Sequence, residues 1–413
     1  LYESHGYPAL YDRYHADISQ IAWKYPSNLG VLQNSLGIIV HSEFSKTLAK
    51  QWYEANSIDN WSVIPHLRLP VKAADKAEAR KRQGIDRNDF IVCSFGFLGA
   101  AKCNLELIHA WQRSELGAKA QSRLIFVGEN DSGTYAEKIN KQVDASATIS
   151  ITGWTSFEQF FDYLSAADLA VQLRTNSRGE VSGAVMHAMS YGLPTIVNAN
   201  GSMGDIPDHA VYKLNDDFNT DDLVKALDIL SSNNALRSKF SKASSELIKQ
   251  HHSPAQCAKQ YFESTERFYN GKEFVIDNLP KKLLGIESKL EPIPFSDLAR
   301  SLAQFKPNYQ SQRLLVDISV LAQHDAKSGI QRVVRGVLKE LLLNPPQGCR
   351  VETIRLKNNS YYYAREYTSK FLECPENILL SEEIVDFYNT DTFLGLDLSF
   401  DTSTKLEFLK EIS

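Results

Sequence analysis

The chain has 413 residues, with 45 Lys and Arg against 50 Asp and Glu and a net charge of −5. That length predicts two to four folding units at roughly 100–200 residues each. An apolar share of 43% with 23% charged residues excludes a disordered polymer. The near-neutral balance argues against a nucleic-acid binder, whose domain would carry a basic face, and no apolar run reaches the roughly 20 residues that cross a bilayer.

The chain starts at Leu1 rather than Met, shows no signal peptide, and stops at Ser413 shortly after a strand-like run. Both ends are expected to be cut from something longer. Cys93, Cys103, Cys257, Cys349 and Cys374 are odd in number and lack CxxC spacing. They predict buried thiols in a reducing compartment rather than a disulfide frame or a zinc site.

Residues 1–35 carry helical stretches without a firm period. The run Leu36-Gly-Ile-Ile-Val40 predicts a buried strand, and the spacing of Phe44, Leu48 and Trp52 a helix after it. Pro65 and Pro70 favour extended backbone, so Val63 to Pro70 reads as a connector between domains. A regular pattern then begins. Apolar runs at Phe90–Phe95, Leu124–Val127, Thr148–Thr152, Leu169–Leu173 and Thr195–Val197 predict strands. Helices are predicted at Leu105–Trp111, Phe157–Ala166 and Ala184–Tyr191. Short apolar strands alternating with helices imply an α/β fold, with a doubly wound parallel sheet covered on both faces. Thr155-Ser-Phe-Glu158 reads as a capping box, and Gly192-Leu-Pro194 as a helix exit. Further helices are expected near 220–231, 234–250 and 254–269. Residues 271–311 lose periodicity and read as a linker. A second α/β domain begins with the strand Arg313–Ser319. A helix comes next with Val333, Val334, Val337 and Leu338 on one side, then strands at Val351–Leu356 and Thr392–Leu398. The expected domains are 1–66, 67–270 and 312–413, the last unfinished.

Open parallel sheets bind ligands outside the carboxyl ends of their strands, so the loops after each strand are the candidate sites. Gly96-Phe-Leu-Gly99-Ala-Ala-Lys102 has two glycines that allow close backbone approach and a lysine at its far end. It reads as a phosphate cradle or as a flexible turn with a solvated lysine. Arg174-Thr-Asn-Ser-Arg178-Gly-Glu180-Val-Ser182-Gly183 leads into the helix that carries His187. Ser182 and Gly183 fall at its N-terminus, where open N–H groups favour an anion. Glu180 would repel a phosphate. It suits sugar hydroxyls or balances an arginine, and the bland alternative is an Arg–Glu pair beside a helix cap. Gly128, before Glu129 and Asn130, and Gly153-Trp154 close two more strands. Trp154 reads as a nucleobase platform or as packing. Together the four loops suit a nucleotide diphosphate joined to a sugar.

Residues 30–270 resemble the C-terminal half of a GT-B glycosyltransferase of the retaining family 4 group. That family's first loop reads Gly-Arg-Leu-x3-Lys; Gly96, Leu98 and Lys102 match it, with Phe97 in place of Arg. Its later loop reads Glu-Gly-Phe-Gly before a helix that begins Glu-Ala-Met. Here Glu180-Val-Ser-Gly183 and Ala188-Met189-Ser-Tyr-Gly192-Leu-Pro194 match, with His187 in place of the second Glu and an interval one residue shorter. The resemblance implies that Lys102 binds the donor diphosphate, Glu180 the transferred sugar, and Ser182 and Gly183 the phosphate. It implies catalytic roles for Lys102 and Glu180. Gly96, Gly99, Gly128, Trp154, Arg174, Arg178 and His187 complete the expected donor site. Arg174 or Arg178 would stand in for the missing Arg, and His187 would hydrogen-bond a ribose hydroxyl.

Ser328-Gly329-Ile330-Gln-Arg332 resembles the Gly-Ile-x-Arg loop of the opposite, acceptor-side half. The order is then the end of an acceptor-side domain (1–66), a donor-binding domain (67–270), a linker (271–311) and the start of a second transferase (312–413). That order is expected of a window cut from a tandem glycosyltransferase of lipopolysaccharide O-antigen or another surface polysaccharide. Arg174–Glu180 and Val197–Met203 are similar to the same stretches of mannosyltransferases in such proteins, which makes GDP-mannose the first donor expectation. The implied chemistry is hexosyl transfer with retention, from a nucleotide sugar to a glycan or lipid-linked glycan, without nucleic acid. No Asp-x-Asp stands at a strand end, so no metal or cofactor is expected. Asp216-Asp217 and Asp221-Asp222 read as solvated caps. The expected location is cytoplasmic, at the inner face of a bacterial inner membrane, with any peripheral membrane contact outside this window. A nucleotide-sugar epimerase or phosphorylase of the same fold is the alternative within enzymes. A catalytically silent donor-like scaffold is the alternative outside them, favoured by Phe97 and His187. Without most of its acceptor-side half, the first unit is expected to turn over poorly alone.

Overall fold

The computed structural model describes residues 1–270 and 312–396, apart from positions 34, 54–57, 59, 70, 72–73, 131, 324–328, 359, 376–377, 379–381 and 389. The expected linker (271–311), Ser328 and the chain from 397 onward lie outside the described residues. Contacts divide the chain into two compact units. One comprises Leu1–Gly37, Trp52–Asn60 and Phe268–Ser413; the other comprises Ile38–Gln51 and Trp61–Arg267. These units cut across the expected boundary at 66, because residues 38–51 and 61–66 pack with the larger unit.

That unit opens with two short parallel strands, β1 (Ile39–Val40) and β2 (Ser62–Val63). The helix Glu43–Lys50 between them starts at Ser42, whose side chain accepts from Ser45 N. The Pro-rich segment after β2 belongs here too: Arg68 N donates to His252 O at 2.8 Å. It therefore does not run between units as a connector, since a backbone hydrogen bond ties it to the end of a helix of the same unit.

Six strands form the main sheet: β3 (Phe90–Phe95), β4 (Ser122–Val127), β5 (Ile149–Ile151), β6 (Leu169–Gln172), β7 (Thr195–Asn198) and β8 (Tyr212–Leu214). Their order is β5-β4-β3-β6-β7-β8, all parallel. Alternation sends Val92, Leu124, Phe126, Leu169, Val171 and Ile196 to one face, under the helices Asn104–Arg113 and Thr220–Ser232. Ile91, Cys93, Phe95, Ile125, Val127 and Ala170 point to the other, under Phe157–Ala166 and Gly183–Ser190. Each large side chain buried this way contributes about 1.5–3 kcal/mol. This is the doubly wound α/β class expected from the sequence. The five cysteines are free thiols, all buried except the half-buried Cys349.

Several details differ from expectation. The strand β8 and the helices Lys76–Arg82 and Thr134–Asp144 are additional; β8 has three residues, too few to show a period. The capping box sits one residue later, with Ser156 and Gln159 bonding each other's backbone. Asp221 pairs with Arg113 and Asp222 closes a capping box with Asn219. Asp216 is exposed, as expected, and also accepts from the side chains of Asn198 and Asn200.

In the smaller unit, β9 (Gln312–Asp317), β10 (Cys349–Lys357), β11 (Ser360–Tyr363) and β12 (Thr392–Gly395) form a sheet ordered β11-β10-β9-β12. Only the β10–β11 pair is antiparallel. The helix Tyr2–His15 contributes Tyr7 and Leu10 to the core that covers this sheet. In the helix Gly329–Leu343, Val334 and Leu338 are buried while Val333 and Val337 face solvent. The apolar stripe therefore runs through i, i+4 and not through all four expected residues.

Candidate functional site

After β3 the chain turns to a helix on one face of the six-stranded sheet, and after β6 to a helix on the other. Strand order reverses between these two neighbours, and such a reversal opens a crevice outside the strands' carboxyl ends. A cleft of about 270 Å³ lies there. The two expected loops form it.

The first loop leaves β3 at Gly96, whose φ is +95°. A Cβ at this position would stand 2.7 Å from Lys102 Nζ, so glycine is what lets the lysine fold back over the strand end. Gly128, after β4, serves the same loop. A side chain there would collide with Gly96 O at 2.4 Å, and Leu98 N donates to Glu129 O at 2.9 Å. Gly99 N donates to Asn104 Oδ1 at 2.8 Å, which anchors the turn into the next helix.

The second loop is pinned from β7. Asn198, fully buried, accepts from Arg174 N and donates to Arg174 O, both at 2.8 Å. Asn200 accepts from Ser177 N at 3.2 Å, and Asp216 accepts from both asparagines. Ser45 Oγ donates to Gly179 O at 2.6 Å, and Ser202 Oγ to Glu180 O at 2.7 Å. The loop ends at Ser182, which caps the helix Gly183–Ser190 by accepting from Val185 N. The caps and first turn leave the Gly183 and Ala184 amides open, and both residues line the cleft.

The charges are unevenly matched. Glu180 forms an ion pair with Arg174 and accepts from Arg178 N at 2.7 Å. Burial alone would raise its carboxyl, but the backbone N–H groups of Glu180 and Arg178 and the Arg174 guanidinium outweigh it and hold the pKa below the ordinary value. Lys102 has no hydrogen-bonding or ion-pair partner for its ammonium among the described residues. Burial, then the nearby Arg174 charge, push its pKa down to about 8. A desolvated ammonium beside a guanidinium and a helix N-terminus is a site for an anion.

Of the expected residues, Gly96, Lys102, Arg174, Ser182 and Gly183 line the cleft. Glu180 is tied to it through Arg174. Gly99 and Gly128 shape its first loop from behind. His187 stands one turn into the helix with its ring 5.7 Å from that of Phe160; burial, then Arg68 and His66, lower its pKa to about 4. Arg178 contributes its backbone N–H to Glu180. Trp154 is 74% exposed and lies beyond β5, two strands from β3. Sequence reasoning passed over Gln172, Phe160 and Met203, which also line the cleft, and the Asn198–Asn200–Asp216 brace. An Asn ending an apolar strand was the visible signal for the brace.

These loops can be set against known proteins. Residues 75–247 match the family model described as Glycosyl transferases group 1. The whole six-stranded sheet with both cleft loops lies inside the matched residues. Among curated proteins, the serotype-specific mannosyltransferase WbdA of Escherichia coli is 39% identical over 103 residues, 25% of this chain and 12% of the relative. The match therefore spans about an eighth of that protein's length. Among solved structures, HepE of Anabaena in complex with UDP and glucose is 18% identical. It aligns over 60% of this chain and 65% of its own, at a TM-score of 0.49. The C-terminal domain of LpcC from Francisella tularensis is 17% identical, over 45% of this chain and 96% of its own, at a TM-score of 0.38. No helix among the described residues is long and apolar enough to cross a membrane.

Proposed function

We propose that the matched domain binds a nucleotide sugar in this cleft and transfers its hexose, with retention, to a growing surface glycan or lipid-linked glycan. The observation that carries this reading is the unpartnered Lys102 ammonium, held beside Arg174 and the open end of the Gly183–Ser190 helix. In such a transfer the bond from the sugar's anomeric carbon to the diphosphate oxygen breaks as the acceptor hydroxyl forms its bond to that carbon. Negative charge grows on the leaving diphosphate. Fixed cations and amide dipoles aimed at that charge lower the barrier, and no resident metal is needed for the role.

Arg174, which lines the cleft, takes the part of the family's missing loop arginine. In this reading Glu180 accepts from sugar hydroxyls, and the Glu180 and Arg178 backbone N–H groups together with Arg174 keep it ionised. Mannose from GDP-mannose is the first donor to test, supported by the WbdA match. The same proposal assigns donor binding to the unit of Ile38–Gln51 and Trp61–Arg267, and acceptor-side segments to the unit that holds Leu1–Gly37 and 312–396. A cytoplasmic place of action belongs to it as well.

The test is calorimetric titration of the 413-residue chain with GDP, UDP, GDP-mannose and UDP-glucose, followed by product analysis with labelled donor. Saturable binding with a preference for GDP-mannose is expected. Binding of none of the four would overturn the reading in favour of a silent scaffold. Sugar isomerisation without acceptor would point to an epimerase.

A further inference from the structure

The floor of the cleft holds a polar group that the fold does not use. Gln172 ends β6, is 5% exposed, and lines the cleft. The three residues before it, Leu169, Ala170 and Val171, are fully buried and apolar. Its backbone takes part in the pairing of β6 with β7, which asks nothing of the side chain. Yet Nε2 of that side chain is buried with no hydrogen-bond partner. A buried N–H without an acceptor is unfavourable, and an aliphatic side chain of the same size would avoid the loss. Phe95 and Phe160, on the same wall, offer no acceptor in their rings.

We infer that Gln172 is a ligand-binding residue whose side-chain amide donates a hydrogen bond to an oxygen of the diphosphate bound in the cleft. The inference rests on the nucleotide-sugar reading above and adds a contact to it. The polar groups around Gln172 decide the chemistry of its partner. Lys102, Arg174 and the Gly183 and Ala184 amides are all donors, the Ser182 hydroxyl already accepts from Val185 N, and among the described residues no carboxylate lines the cleft. The part of a ligand that fills this space meets mainly donors, which suits phosphate oxygens better than a sugar hydroxyl. Rotation about the last side-chain torsion, a soft one in glutamine, turns the amide N–H toward the space above it.

The test compares GDP and UDP binding to the full chain in wild type, Gln172→Met and Gln172→Glu. Gln172→Met keeps length and volume and removes the donor. It is expected to weaken both nucleotides about ten- to a hundredfold, the range for a hydrogen bond to a charged group, and to leave the empty protein at least as heat-stable. Gln172→Glu places an anion against the diphosphate and is expected to lose at least as much. Affinities within twofold of wild type in Gln172→Met would overturn the inference. So would wild-type affinity in Gln172→Glu, since a carboxylate replaces the amide only toward a hydroxyl. If wild type itself binds neither GDP nor UDP, the nucleotide-sugar reading falls and the inference with it. If wild type binds and Gln172→Met binds equally, only the role of Gln172 falls.

Discussion

Two buried polar residues at strand ends, Asp317 of β9 and Gln172 of β6, are treated in opposite ways. In the four-stranded sheet, Asp317 ends β9 fully buried. It accepts from Ser319 N at 2.9 Å and Oγ at 2.5 Å, and from the Tyr361 hydroxyl at 3.1 Å. Donors and acceptor close on one another. In the six-stranded sheet, the ends of β3 and β6 carry a desolvated lysine and an amide that the fold leaves unmatched. A strand-end position in a parallel sheet is thus not enough to mark a site. What marks it is the convergence of several unmatched donors on one cleft; single unmatched donors such as Tyr7 OH and Arg355 Nε lie elsewhere.

Breaking each side of this contrast should give different readouts. The largest effect is expected from Lys102→Met, which removes the unmatched charge: GDP affinity should fall about a hundredfold, with little change in unfolding temperature. Asp317→Ala should do the reverse. It removes the acceptor of the buried Ser319 N–H and of the Tyr361 hydroxyl and should lower unfolding stability by about 3 kcal/mol, with GDP affinity unchanged in the same calorimetric assay. Equal loss of binding in both variants would erase the distinction.

Most of the six-stranded sheet was legible because its strands are short, continuous apolar runs with turn residues at both ends. The loops were legible for the same reason: once β3 and β6 are placed, the residues directly after them must stand at the crevice. Residues whose role depends on a partner far along the chain were not. Asp216 read only as a solvated cap; it is exposed, but nothing near it in sequence shows Asn198 and Asn200 reaching over. Gln172 read as one more member of an apolar run. In the smaller unit, no local pattern in the first 35 residues announces that Tyr7 and Leu10 pack with Val316 and Leu338; such a pairing comes from tertiary burial alone. Trp154 drew notice as a large aromatic after a strand, but its 74% exposure and its place beyond β5 set it apart from the cleft lining.

Two smaller effects sharpen the electrostatic half of the contrast. Arg174→Gln should weaken GDP about tenfold. It should also raise the Glu180 and Lys102 pKa values toward their ordinary ranges, measurable by NMR titration, because one guanidinium lowers both. The smallest is a pH slope. Lys102 in the empty cleft loses its proton near pH 8, so it is charged below and neutral above. GDP affinity should decline about tenfold between pH 7 and pH 9. Lys102→Arg, which stays charged, should bind GDP with that slope removed.

The central claim is that Lys102, Arg174 and the Gly183–Ser190 helix tip hold one diphosphate. A crystal structure of the chain with GDP tests it most directly. The account expects phosphate oxygens about 3 Å from Lys102 Nζ and from the Gly183 or Ala184 amide, with Arg174 turned toward the same group. A diphosphate bound elsewhere, or a cleft that stays empty at saturating GDP, would contradict it.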